Sequence, residues 1–124
     1  MTLIRQNAAR WRIHPDRIGI MGSSAGGHLA STVSTRHYRT PAADPAQSKP
    51  NFTVLVYPVI STGPVAHRVS IRNLLGSYAS DSLLRALSNE KQVTALTPPT
   101  LLLRSTPNAT VPVENTLLYF EALK

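Results

Sequence analysis

The sequence predicts an α/β fold, with about three parallel strands in one sheet and helices on both faces. Three apolar runs of strand length occur, at residues 17–22, 52–57 and 100–103. Between and around them, apolar residues recur at helical spacing, so the order reads α-β-α-β-α-β-α. Strands that alternate with helices pair in parallel, because each crossover returns the chain to the same end of the sheet. The length of 124 residues, 42% hydrophobic, gives room for one core and a single domain over residues 1–124.

The elements follow in order. Leu3, Ile4, Ala8 and Trp11 mark a helix over residues 1–11, with Arg5 and Gln6 on its polar side. His14, Pro15 and Asp16 break it, and residues 17–22 then form a short buried strand. A second helix starts within residues 23–27, turns Leu29, Ala30 and Val33 to one buried face, and fades near His37. Residues 41–50 lack periodicity and read as a surface connection. Residues 52–57 are β-branched and aromatic, predicting a central strand closed by Pro58. A polar loop holding His67 and Arg68 follows. Ser80 then caps a helix carrying Leu83, Leu84 and Leu87, with Asp81 in its first turn. After the third strand, a last helix over residues 113–123 places Val113, Leu117, Phe120 and Leu123 on one face.

Composition excludes several functions. Zero cysteines remove disulfides, thiol nucleophiles and thiolate metal sites. Thirteen Lys and Arg against six Asp and Glu give a net charge of +7, yet the charges are scattered and not interleaved with aromatics, which argues against nucleic-acid binding. No segment approaches the ~20 apolar residues of a membrane span, and the first residues lack a signal-peptide core, so a cytoplasmic chain without membrane contact is expected.

One motif is specific. Gly22-Ser23-Ser24-Ala25-Gly26 fits G-x-S-x-G and lies between a short apolar strand and a helix, where the motif's mechanism requires it. A sharp turn there exposes the hydroxyl of Ser24, the candidate nucleophile, while flanking glycines let strand and helix approach. The backbone N–H of Ala25 is the candidate oxyanion donor, at the positive end of the following helix.

These residues carry a resemblance. The run from Asp16 to Ala30, together with Val56-Tyr57-Pro58-Val59-Ile60-Ser61, Asn73-Leu74-Leu75-Gly76 and Val111-Pro112-Val113-Glu114-Asn115, resembles the α/β-hydrolases. The resemblance is to bacterial acetylxylan- and feruloyl-esterase-like serine esterases, some of which carry xylanase labels. It implies a serine carboxylic-ester hydrolase acting on small esters or acylated carbohydrate, without a cofactor or metal.

The chain departs from that pattern in three ways. The resemblance puts Asn108 at the position of the triad acid, where an amide can hydrogen-bond a histidine but cannot stabilise imidazolium by charge. All four histidines, His14, His28, His37 and His67, precede that position, and the family's catalytic histidine has no counterpart. His28 reads as structural, His67 as structural or substrate-lining, and His14 and His37 as surface residues. The leading strands and the His-Gly-Gly-Gly-type loop that donates the second oxyanion hydrogen bond are missing too.

One explanation covers all three: a chain truncated at both ends relative to the family and inactive alone. Its sheet would keep an unpaired side, so an aggregated, molten or self-associated state is expected. The alternative is an interaction protein that pairs through its exposed sheet edge with a complementing chain.

Overall fold

The computed structural model describes residues 1–37, 44–105 and 110–124. Helices α1 (Thr2–Gln6) and α2 (Ala8–Trp11) precede strand β1 (Gly19–Ser23), helix α3 (Ser24–Arg36) and helix α4 (Pro45–Ser48). Strand β2 (Phe52–Val56), helices α5 (Arg68–Leu75) and α6 (Asp81–Leu87), a 3-10 turn (Asn89–Gln92), strand β3 (Thr100–Leu103) and helix α7 (Glu114–Leu123) complete the order. The three strands form one parallel sheet in the order β1-β2-β3, with Met21, Val54 and Leu101 in one row and Ser23, Val56 and Leu103 in another. The run centred on Leu55 is therefore the middle strand, as its composition predicts.

Side chains alternate across a strand, and the two faces of this sheet differ in cover. Leu55 (0% exposed) packs with Ala30 of α3, Ile60 and Tyr119 of α7, and Ile20 and Leu102 of the flanking strands join them. This is the core. On the other face Met21 (69% exposed), Phe52, Leu101 and Leu103 are exposed. Helical cover thus lies over the Leu55 face, and the second face, for which the sequence predicts helices too, shows Met21, Phe52, Leu101 and Leu103 to solvent.

Four local expectations are corrected. The first helix is two short ones: Asn7 sits at φ −99°, ψ 8° with its amide donating to the Leu3 carbonyl, and Arg12 in the left-handed region ends α2. Ala8 is buried there, whereas Leu3 and Trp11 are exposed. On α3, Leu29 (65% exposed) points outward and the buried side is largely polar, with His28, Ser31, Ser34 and Thr35. Such a face is tolerated because Ser31, Ser34 and Thr35 each donate to a carbonyl one turn back, and Ser34 Oγ also meets Thr53 Oγ1 of β2 at 2.6 Å.

The segment after His67 is a helix, α5, rather than a loop. Last, α7 buries Asn115, Thr116 and Tyr119, leaving Val113, Leu117 and Phe120 exposed, the reverse of its apolar stripe. The reason is Asn115: its Oδ1 accepts from Ile60 N and Ser61 N, both at 2.9 Å, and its Nδ2 donates to the carbonyls of Val65 and Pro112. Two N–H groups of the buried loop after β2 and two carbonyls outside it are met by one amide, and that fixes which side of α7 faces inward.

Arg5 is the other unexpected tie. Its guanidinium donates to the carbonyls of Pro15, Ala46, Gln47 and Lys49 and to Asn51 Oδ1, fastening α1 to the C-terminal end of α4. The stretch 44–50 is therefore ordered by a helix capped at Asp44, whose side chain accepts from Ala46 N, and it ends on buried Pro50.

Candidate active site

The Gly22–Gly26 motif spans the β1-to-α3 junction. Ser24 begins α3 at φ +51°, a left-handed conformation that side chains with a Cβ adopt at a cost of roughly 1–2 kcal/mol. The turn is held in that state by its neighbours. A Cβ on Gly22 would lie 2.1 Å from the Gly26 carbonyl oxygen, so only glycine lets the end of β1 touch the first turn of α3. A Cβ on Gly27 would lie 2.6 Å from Pro58 Cβ, which brings α3 against the loop leaving β2. Gly26 itself faces open space. The two glycines that permit close approach are thus Gly22 and Gly27, and the motif pattern names only the first.

Ser24 is half-buried, Ala25 is exposed at the helix start, and among the described residues no group hydrogen-bonds Ser24 Oγ. The N-terminal amides of α3 face forward from the turn with the positive end of a 13-residue helix behind them. Opposite, Tyr57 is also left-handed, at φ +36°, and its N–H donates to the Leu103 carbonyl at 2.8 Å. Two left-handed residues at the C-terminal ends of adjacent parallel strands mark one rim of the sheet, the rim where open α/β sheets build their sites.

The histidines lie elsewhere in the bonding pattern. His28, 7% exposed, hydrogen-bonds through Nε2 to the Leu87 carbonyl at 2.9 Å, so Nε2 carries the proton and α3 is tied to the end of α6. Burial lowers its pKa below the ordinary 6.5, with the Leu87 carbonyl opposing, Arg36 adding to the fall and Glu90 opposing it. Next to it, the amide of fully buried Asn89 donates to the carbonyl of His28 and to the hydroxyls of Ser31 and Thr32.

His67 meets Ser70 Oγ at 2.8 Å across the first turn of α5. His14 is exposed, as expected. His37 is not a surface residue: it is 6% exposed, and its Nδ1 lies 3.1 Å from the Ser34 carbonyl. None of the four hydrogen-bonds Ser24. Asn108 lies outside the described residues. Among the described residues there is no cluster of three metal-ligating side chains, and no helix is long and apolar enough to cross a membrane.

Residues 1–123 match the family model described as BD-FAE. The chain is 38% identical to the acetylxylan esterase of Xylanibacter ruminicola over 127 residues, which is 98% of this chain and 25% of that protein. It is 36% identical to endo-1,4-beta-xylanase B of Butyrivibrio fibrisolvens over 126 residues, 98% of this chain and 20% of that one. Among solved structures, the acetyl ester-xyloside bifunctional hydrolase of Caldicellulosiruptor lactoaceticus superposes with a TM-score of 0.87 at 40% identity, covering 98% of this chain and 47% of that one.

Esterase 2 of Thermogutta terrifontis, at 27% identity and a TM-score of 0.74, matches 98% of this chain and 46% of its own. The chain therefore spans a quarter or less of the curated relatives and about half of these structures. Matched over residues 1–123 by one family model, and superposing on these structures along nearly all of its length, the chain belongs to the BD-FAE family, with an α/β-hydrolase fold.

Proposed function

We propose that these 124 residues are the nucleophile-bearing part of a serine carboxylic-ester hydrolase for small esters or acylated carbohydrate, and that they do not hydrolyse esters alone. The observation that carries the reading is Ser24 at φ +51° on a glycine-fitted turn between β1 and α3. In the reaction, Ser24 Oγ adds to the ester carbonyl carbon while its proton passes to a base, and the carbonyl electron pair becomes an oxyanion. The Ala25 N–H donates a hydrogen bond to that oxyanion. Collapse then expels the alcohol, which takes the proton back, and water releases the acid in a second round.

The described residues provide the nucleophile and one oxyanion donor. No histidine hydrogen-bonds Ser24, and a hydroxyl without a base is a weak nucleophile at neutral pH. The chain matches about half of the related structures, and its acid position is degenerate at Asn108.

The test is a chimera in which this chain replaces the matching half of the Caldicellulosiruptor lactoaceticus hydrolase. The isolated chain and its Ser24→Ala variant should hydrolyse 4-nitrophenyl acetate at the same rate, and Asn108→Asp should not help. In the chimera, Asn108→Asp should raise kcat by orders of magnitude, since a neutral amide in place of the triad acid costs about 10⁴-fold in a serine protease. A Ser24-dependent rate in the isolated chain would overturn the inactivity. A chimera unaffected by Ser24→Ala would overturn the nucleophile assignment.

A second reading is favoured by the sheet. Strands β1 and β3 are each paired on one side, and the Met21, Leu101 and Leu103 side chains beside those edges are exposed. A chain of this kind pairs with a complementing chain, or with itself, through that edge and face. Light scattering checks it: self-association should weaken on Leu101→Lys with Leu103→Lys, and a monomer at all concentrations would count against it.

A further inference from the structure

A cavity of about 380 Å³ lies between α5, α6 and the loop after β2, with Thr62, Ala66, Arg68, Arg72, Ser77 and Leu84 in its walls. None of its lining residues belongs to α3 or to the Gly22–Gly26 turn. Helix α5 ends at Gly76, whose φ of +75° glycine adopts without strain, and the chain turns there so that Ser77 joins Arg68 and Arg72 on the wall.

The polar groups of this wall are unengaged. Arg68 and Arg72 stand one turn apart on α5, so their side chains share a face. Among the described residues no ion pair or hydrogen bond holds either guanidinium or the Ser77 hydroxyl. None of the six Asp and Glu residues lines the cavity. The arrangement also opposes helix stability. Like charges at this spacing repel, and Arg68 opens α5 at its positive end, with no acidic residue in the first turn and no side chain capping it. An oxyanion between the two guanidiniums would relieve both conflicts, and local conflicts of this kind are expected where a chain binds.

The chemistry of the wall narrows the ligand. Arginine presents a planar fork that matches a carboxylate. Two guanidiniums carry about ten N–H donors, whereas one carboxylate accepts about four hydrogen bonds. The surplus donors and the Ser77 hydroxyl call for further oxygens close to the acid group, and Ala66 and Leu84 add apolar wall for a carbon ring. The volume, near the lower end of the roughly 300–1,000 Å³ of small-molecule sites, holds one ring of sugar size.

We propose that this cavity binds a hexuronate, with the carboxylate between Arg68 and Arg72 and the ring hydroxyls on the remaining guanidinium donors and Ser77. The choice of a sugar acid rests on the proposed carbohydrate ester as substrate. In such a substrate the acidic sugar neighbours the acylated one, so the cavity selects acidic carbohydrate and takes no part in ester cleavage.

The test is binding alone, on the 124-residue chain. D-Glucuronate, D-glucose and inorganic phosphate are titrated at low ionic strength by ligand-observed NMR, which tolerates self-associated material. Glucuronate should bind more tightly than either of the others and weaken as salt is added. Arg68→Gln and Arg72→Gln should each weaken it roughly three- to tenfold, as expected for a charge-assisted contact at an exposed site. Arg85→Gln, which removes the same charge from an exposed residue of α6 outside the cavity wall, should leave it unchanged.

Should circular dichroism show Arg72→Gln unfolded, Arg72→Lys, which keeps the charge and loses the fork, gives the same reading through a smaller loss. Glucuronate binding no tighter than that of glucose would overturn the proposal, as would phosphate binding equally well or an equal loss in Arg85→Gln. The cavity and the nucleophile fail separately: arginine-dependent glucuronate binding together with a chimera indifferent to Ser24→Ala keeps the cavity and removes the esterase role, and the opposite pair of results does the reverse.

Discussion

The carbonyl oxygen of Ser24 accepts a hydrogen bond from Val59 N–H at 3.0 Å. Through that bond the turn after β1 and the loop after β2 hold one another, and the loop continues into the buried run Pro58, Val59, Ile60 and Ser61 that Asn115 fastens from α7. A strained turn persists only where its surroundings over-determine it, and here three elements do so.

The strain at Ser24 should be measurable. At the first position of a helix, alanine is ordinarily the more stabilising residue, but at φ +51° the order inverts. Ser24→Gly should be more stable than Ser24→Ala by about 1 kcal/mol in urea unfolding. Equal stabilities would mean that the turn relaxes once the serine is removed.

The three glycines of the turn should rank by the space around them. Gly26→Ala, in open space within α3, should be neutral or stabilise by up to about 1 kcal/mol. Gly22→Ala and Gly27→Ala, whose Cβ atoms would meet the Gly26 carbonyl and Pro58, should cost about 3 kcal/mol or prevent folding. Denaturation midpoints of the three variants give the order directly.

Asn115 should be among the most sensitive side chains. Asn115→Ala strands the amides of Ile60 and Ser61 away from water, and each such group costs about 1–3 kcal/mol. A loss of about 3 kcal/mol or more is expected from thermal or denaturant melts. Asn115→Asp, which keeps the acceptor but loses the donor to Val65, should also destabilise.

His28 predicts the pH dependence. Its folded pKa lies below the ordinary 6.5, so the unfolded chain binds its proton first as pH falls. The contribution is complete above pH 6.5, declines by one proton's slope as pH drops from 6.5 toward the folded pKa, and is flat below it. In His28→Gln that decline should be absent from a plot of unfolding free energy against pH. An unchanged slope would assign it to another group.

Legible in the residues alone were the parallel α/β architecture, the middle position of the strand around Leu55, the β3 run Thr100–Leu103, the Ser80 cap of α6, whose hydroxyl accepts from Leu83 N, and the turn at Ser24. These are local signals: β-branched runs, a capping hydroxyl, and glycines at fixed offsets. Which faces are buried emerges only in the folded chain.

Helical spacing alone favours Leu29 and the stripe Val113, Leu117 and Phe120 as inward, but polar demand reversed both. Asn115, Asn89 and Arg5 each meet several backbone or hydroxyl groups from segments distant in the chain, and no neighbouring residue marks them for that task. Periodicity records how much apolar surface a helix carries. Which side turns inward is decided where buried N–H and C=O groups must find partners, and that requirement exists only once the chain has closed around them.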